Sequence, residues 1–186
     1  MIRINNLFMS FNDKTVLNDI SVKFEPGKTN LIIGRSGSGK TVLLKSIVGL
    51  HNIDSGEIWY DDVLFNQLDF KGMKNIRKEI GMLFQGSALF DSLTVEQNVR
   101  FPLDMFTDQS EEEKEERVNF CLKRVNIINA NKLFPAELSG GMKKRVAIAR
   151  AISLNPKYLF CDEPNSGLDP LTAILIDELI KELTEE

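Results

Sequence analysis

The sequence predicts an α/β chain with an N-terminal antiparallel β piece and a helical insertion, on three observations. Residues 2–9 and 17–24 alternate apolar and polar side chains at the period of a strand. A short apolar run at 31–33 leads into a glycine-rich loop and then a helical pattern, and helical periodicity dominates from Thr94 to Arg150. Of the 186 residues 42% are apolar and 27% charged, the balance of a folded chain rather than a disordered one. A chain of this length buries roughly 70% of its unfolded surface, so its core needs no staple.

The elements follow in order. Asn12-Asp13-Lys14 is the predicted turn of an N-terminal hairpin, and Pro26-Gly27 turns the chain into a strand at Leu31-Ile32-Ile33. A helix is predicted over Thr41 to Leu50, a strand pair over Glu57 to Leu64 around Asp61-Asp62, and a buried strand over Ile80 to Phe84. Ser110 and Glu113 form a capping-box pattern at the head of the charged run 110–117, which reads as a solvated helix face. Tyr158 to Cys161 returns to a short apolar strand, and Pro170 opens a helix over Leu171 to Leu183. Apart from Phe11, the phenylalanines, twelve in all, are expected in the core. The whole, 1–186, is read as one domain, in which 1–90 and 151–186 form the core with the β piece and 91–150 the helical subdomain.

Charge and cysteine usage exclude several functions. With 23 Lys+Arg against 27 Asp+Glu, net charge −4, there is no basic field to hold nucleic acid or a polybasic membrane footprint. Cys121 and Cys161 stand far apart without a CxxC, so neither a disulfide framework nor a cysteine zinc site is indicated. No apolar run approaches the roughly 20 residues of a bilayer span, and the N-terminus lacks a secretory pattern. A cytoplasmic location is expected.

Three segments carry chemistry. Gly34-Arg35-Ser36-Gly37-Ser38-Gly39-Lys40-Thr41 matches GxxxxGK[ST] between a predicted strand and a predicted helix, the context that makes it a phosphate-binding loop. Its glycines let backbone N–H groups curl around phosphates, Lys40 reaches the β and γ phosphates, and the Thr41 hydroxyl can ligate Mg²⁺. Tyr158-Leu159-Phe160-Cys161-Asp162-Glu163 is an apolar strand ending in two acids. Adjacent strand residues point to opposite sides, so one carboxylate can stand near Mg²⁺ and the other near an attacking water. Leu138-Ser139-Gly140-Gly141-Met142 sets a serine N-cap and two glycines at a helix start, either a second anion site or a simple cap.

Together with Lys143-Lys144-Arg145, Asp162-Glu163-Pro164 and Ser166-Gly167-Leu168-Asp169, these motifs resemble, in order and over nearly the whole chain, the ATP-binding-cassette ATPases. The resemblance implies the P-loop NTPase fold of that family: a RecA-like mixed sheet core with an antiparallel β subdomain and a helical subdomain insertion. It implies ATP and Mg²⁺ as ligands and hydrolysis to ADP and phosphate. Phe11 matches the residue that stacks on adenine, although a hairpin core residue is the plain alternative. Lys40 and Thr41 match those that hold phosphate and Mg²⁺. Gln85 matches the loop residue that senses Mg²⁺ and the transport partner, with a loop-capping amide as its alternative. Asp162 matches the Mg²⁺ support and Glu163 the general base. Ser139, Gly140 and Gly141 would contact the γ-phosphate of a second subunit, with Asp169 coupling the two sites, so the functional unit is expected to be a homodimer.

Met142 where the family pentad usually ends in Gln, the stretch from Met82 to Val99, and Phe101-Pro102-Leu103 resemble the ATPases of Mla-type, MCE-associated phospholipid transporters. That branch implies a membrane permease, an MCE-domain lipid carrier, and attachment to the inner membrane through the permease. The family's switch histidine follows a further strand, and the sequence ends at Glu186 without it. His51 cannot take that role. A C-terminally short chain with an unpaired sheet edge is therefore expected, binding nucleotide better than it turns it over. A soluble assembly or repair ATPase is the alternative. A tandem cassette, a coiled-coil insertion between Gln85 and Leu138, and a basic excess would have favoured it, and the sequence has none of them.

Overall fold

The structure is a computed structural model, and it describes residues 1–184. Two compact units emerge, one of residues 1–77 joined by residue 184 and one of residues 78–183.

The first unit holds β1 (Ile2–Phe11), β2 (Lys14–Phe24), α1 (Lys40–Ile47), β3 (Ser55–Tyr60), β4 (Val63–Leu64) and most of α2 (Phe70–Lys78). Its sheet runs β2-β1-β3-β4, antiparallel throughout, with Ile2 opposite Phe24 on one side and Tyr60 on the other. Alternation buries Ile2, Ile4, Leu7 and Met9 of β1 with Ile58 and Tyr60 of β3. α1 lies against these residues, because the Ser46 hydroxyl donates to the Met9 sulfur and the Tyr60 hydroxyl to the Ile47 carbonyl, at 3.3 and 3.0 Å.

Two expectations are corrected here. The hairpin turn is Asn12-Asp13 alone, both left-handed (φ 43° and 64°) as the right-handed twist of paired strands demands, and Lys14 already belongs to β2. The strand expected at Leu31-Ile32-Ile33 does not form. A strand exists only with a ladder partner. Among the described residues none pairs with this segment, and Leu31 and Ile33 are exposed.

The second unit holds β5 (Ile80–Leu83), α3 (Val95–Phe106), α4 (Glu111–Arg124), α5 (Gly140–Ala151), β6 (Tyr158–Cys161) and α6 (Pro170–Thr184), whose last residue groups with the first unit. β5 and β6 pair in parallel, Ile80 with Tyr158 through Leu83 with Cys161. Val95, Val99 and Leu103 of α3, Val118 and Leu122 of α4, and Val146 to Ala149 of α5 enclose the core, each large aliphatic side chain contributing about 1.5–3 kcal/mol.

Helix starts are chemically specified. Ser110 and Glu113 exchange the reciprocal hydrogen bonds of a capping box at α4, and Thr94 and Gln97 do the same at α3. The charged run of α4 is solvated except at Lys114, which is buried and reaches the Asp104 carboxylate at 2.9 Å. The phenylalanines depart from expectation: Phe65 is the fully buried one, whereas Phe70, Phe90, Phe101, Phe120 and Phe134 are exposed. Aliphatic side chains fill the core of the second unit instead. No helix among the described residues is long and apolar enough to cross a membrane.

Candidate functional site

The first unit carries the glycine loop. Gly37 and Gly39 adopt left-handed conformations (φ 74° and 93°), from which anion-binding backbone nests are built. Gly39 is the N-cap of α1, and a Cβ there would meet Val16 and Leu17 at 3.2 Å. The Lys40 ammonium folds over the loop, donating to the Gly34 and Arg35 carbonyls at 3.0 Å each. Ser38 N–H donates to the same Arg35 carbonyl, closing the turn through Ser36, and Thr41 stands second in α1. A curl of glycines at a helix N-terminus with an ammonium folded onto it fits a polyphosphate. Phe11 ends β1, 43% exposed, with its ring edge-on to His51 at 5.5 Å between centroids.

The second unit gathers Gln85, Asp162 and Glu163. Asp162 is buried, and its N–H donates to the Leu83 carbonyl at 2.9 Å, extending the ladder one residue beyond β6. Glu163 lies beyond the end of β6, exposed and left-handed (φ 47°), so the buried Asp162 and the exposed Glu163 differ in surroundings through the turn of the backbone rather than through strand alternation. The Gln85 amide donates to the Glu163 carboxylate at 2.6 Å.

Beneath them lies Lys144, to which the sequence motifs assign no role. Its ammonium donates to the Gln85 carbonyl and, at 3.4 Å, to the Glu163 carbonyl. Burial lowers its pKa, against the pull of Cys161, Asp162 and Glu163. Burial likewise pushes the Cys161 thiol up to about 12, which leaves it inert as a nucleophile. The one signal that could have found Lys144 is a lysine in the face of α5 that buries Val146 to Ala149.

Ser139, Gly140, Gly141 and Asp169 come together around a cavity of about 230 Å³ that Arg145 and Thr172 also line. Ser139 caps α5 by accepting from Met142 N–H at 3.2 Å. Asp169 accepts from the Thr172 hydroxyl at 2.6 Å and from its N–H at 3.0 Å, and these bonds hold its carboxyl below the usual range. A Cβ on Gly141 would meet the Thr172 methyl at 2.6 Å, so the two helix starts approach as closely as they do only over glycine. No cluster of three or more His, Cys, Asp or Glu suited to a metal exists among the described residues. Mg²⁺ bound with a nucleotide needs no such cage, since phosphate oxygens, a hydroxyl and water supply most of its shell.

The family described as ABC transporter matches residues 17–166. The chain belongs to the ABC transporter ATPases. It is 43% identical over its full length to the methionine import ATP-binding protein MetN of Carboxydothermus hydrogenoformans. It is 37% identical, again over its full length, to the "Probable ribonucleotide transport ATP-binding protein mkl" of Mycobacterium tuberculosis. The cassette spans 56% and 52% of the length of these two relatives. Its fold is similar to that of the ATP-binding cassette MJ0796 in a dimeric post-hydrolysis state bound to ADP and Pi, with a TM-score of 0.89 and 34% identity over 100% of this chain and 83% of that one. The cassette thus has the P-loop NTPase architecture expected of it, mixed α/β with an antiparallel β subdomain.

Proposed function

We propose that this cassette binds ATP with Mg²⁺ and hydrolyses it to ADP and phosphate, as the energy-coupling subunit of a membrane transporter. The glycine loop with Lys40 folded over it carries this reading. In it, Gly34 to Thr41 hold the triphosphate and Phe11 stacks on the base. Glu163, exposed at the end of β6, accepts the proton of the attacking water, and Gln85 orients that carboxylate. Thr41, Asp162 and Gln85 are the residues that would hold Mg²⁺, and the ion would supply positive charge against the charge developing on the phosphoryl oxygens.

One lysine and one cation leave the outer face of the γ-phosphate open. In the proposed homodimer Ser139, Gly140 and Gly141 of the partner close it, and Asp169 beside them couples the two sites. A permease places the cassette on the cytoplasmic face of the inner membrane, and nucleic acid has no part in this reading.

For cargo we favour phospholipid carried across the cell envelope, with an MCE-domain lipid carrier as further partner, on the Met142-ended pentad and the stretch from Met82 to Val99. Methionine import is the second reading, favoured by the 43% identity. With the permease in vesicles, stimulation of turnover by phospholipid or by methionine separates the two.

The chemistry has its own test. Glu163→Gln should retain ATP binding and trap a nucleotide-bound dimer while kcat falls by roughly 10²–10⁴. Unchanged hydrolysis in that variant rejects Glu163 as the base.

A further inference from the structure

Lys144 sits 4% exposed among the apolar residues of α5. An ammonium in such a place costs several kcal/mol unless its donors are satisfied, and an aliphatic side chain of similar volume would serve stability at least as well. Its two acceptors are therefore informative. They are the main-chain carbonyls of Gln85 and Glu163, residues 59 and 19 positions away, whose side chains are themselves hydrogen-bonded at 2.6 Å. Glu163 holds a left-handed backbone, a conformation that a non-glycine residue keeps only where its surroundings over-determine it.

α5 grips the far end of the same loop as well. The Arg150 guanidinium donates to the carbonyls of Ser87 and Ala88, at 3.0 and 2.8 Å, and both of these residues are left-handed. The loop bearing Gln85 thus hangs on one helix, the helix whose first residues line the cavity with Asp169.

We propose that Lys144 is a positioning residue: it fixes the Gln85 amide and the Glu163 carboxylate relative to each other and ties both to the α5 helix that begins at Gly140. This rests on the reading of Glu163 as general base. A shift of α5 when its N-terminus meets a nucleotide then reaches the carboxylate through one ammonium.

The test uses the full-length protein assembled with its permease, measuring kcat, KM for ATP, nucleotide affinity and thermal stability. Lys144→Met should lower kcat about 10- to 100-fold with KM and affinity unchanged, the size of effect a misplaced catalytic group produces. Lys144→Gln, which keeps an N–H donor, should recover part of the loss, and it carries the test alone if the Met variant does not fold. In a Glu163→Gln background Lys144→Met should add no further loss, because the two act on one step. Wild-type kcat in both variants overturns the proposal, as does an equal fall in Met and Gln that tracks lowered stability. A wild-type protein without turnover rejects the ATPase reading and this inference with it, whereas an active wild type with indifferent Lys144 variants rejects this inference alone.

Discussion

The glycine loop of the first unit and the Gln85–Glu163 cluster of the second are built on opposite plans. The loop is local: eight consecutive residues, left-handed at Gly37 and Gly39, with the Lys40 side chain folded back on carbonyls five and six positions away. The cluster is non-local: a loop, a strand end and a helix are drawn together around a buried ammonium, with partners 19 to 78 residues apart. Backbone-built recognition therefore depends on which φ values each residue tolerates. Side-chain-built positioning depends on what the rest of the unit holds in place.

Three perturbations sharpen or break that contrast. Lys40→Ala has the largest expected effect: nucleotide affinity should fall on the order of 100-fold or more, the worth of a charge-assisted contact to phosphate, and titration calorimetry would measure it. Retained affinity would remove the loop from the account.

Gly39→Ala comes next. It adds one methyl against Val16 and Leu17 at a φ of 93° that alanine tolerates poorly, a strain of about 1–3 kcal/mol. Affinity should drop roughly tenfold or more with the fold intact by circular dichroism; an alanine variant that binds as well as the parent would show that backbone conformation does not build the loop.

The smallest effect concerns a carboxylate in the second unit outside the site. Burial raises the Asp104 carboxyl, but hydrogen bonds from Lys114 and Arg100 outweigh it and hold the group below its ordinary value. A lowered folded-state pKa gives stability that is present above the unfolded value, about 3.9, and is lost as pH falls through the folded one. Melting temperature should therefore drop below about pH 4, and Asp104→Asn should flatten that drop. The change should be small, because Asp104 is 45% exposed and water screens the pair. Parent and variant with identical acid profiles would show that the pair adds nothing.

Most of the secondary structure was legible because its signals are local. Alternation marked β1 and β2, the Ser110/Glu113 box marked α4, and Pro170 marked α6. α2 went unseen although Phe70, Met73 and Ile76 recur at helical spacing, because the segment is short, rich in lysine and buries no residue. The strand expected at 31–33 was a misreading with a physical cause: an apolar run specifies that a segment could pair, while the ladder itself is a property of a neighbour. Phenylalanine hydrophobicity misled in the same way, since it states what a ring could bury and not whether a neighbour covers it.

By itself the sequence determined the chemistry on offer: a loop whose glycines permit a phosphate cradle, a strand that ends in two acids, and a helix start with a serine cap and two glycines. Those are decided by covalent structure and by conformational preferences within a few residues. Only the tertiary structure decided that Ser139 and Asp169 line one cavity, that Gln85 meets Glu163, and that a buried lysine stands beneath both. Such meetings between distant residues depend on how helices and strands pack, and no periodicity along the chain records which carbonyl an ammonium will find.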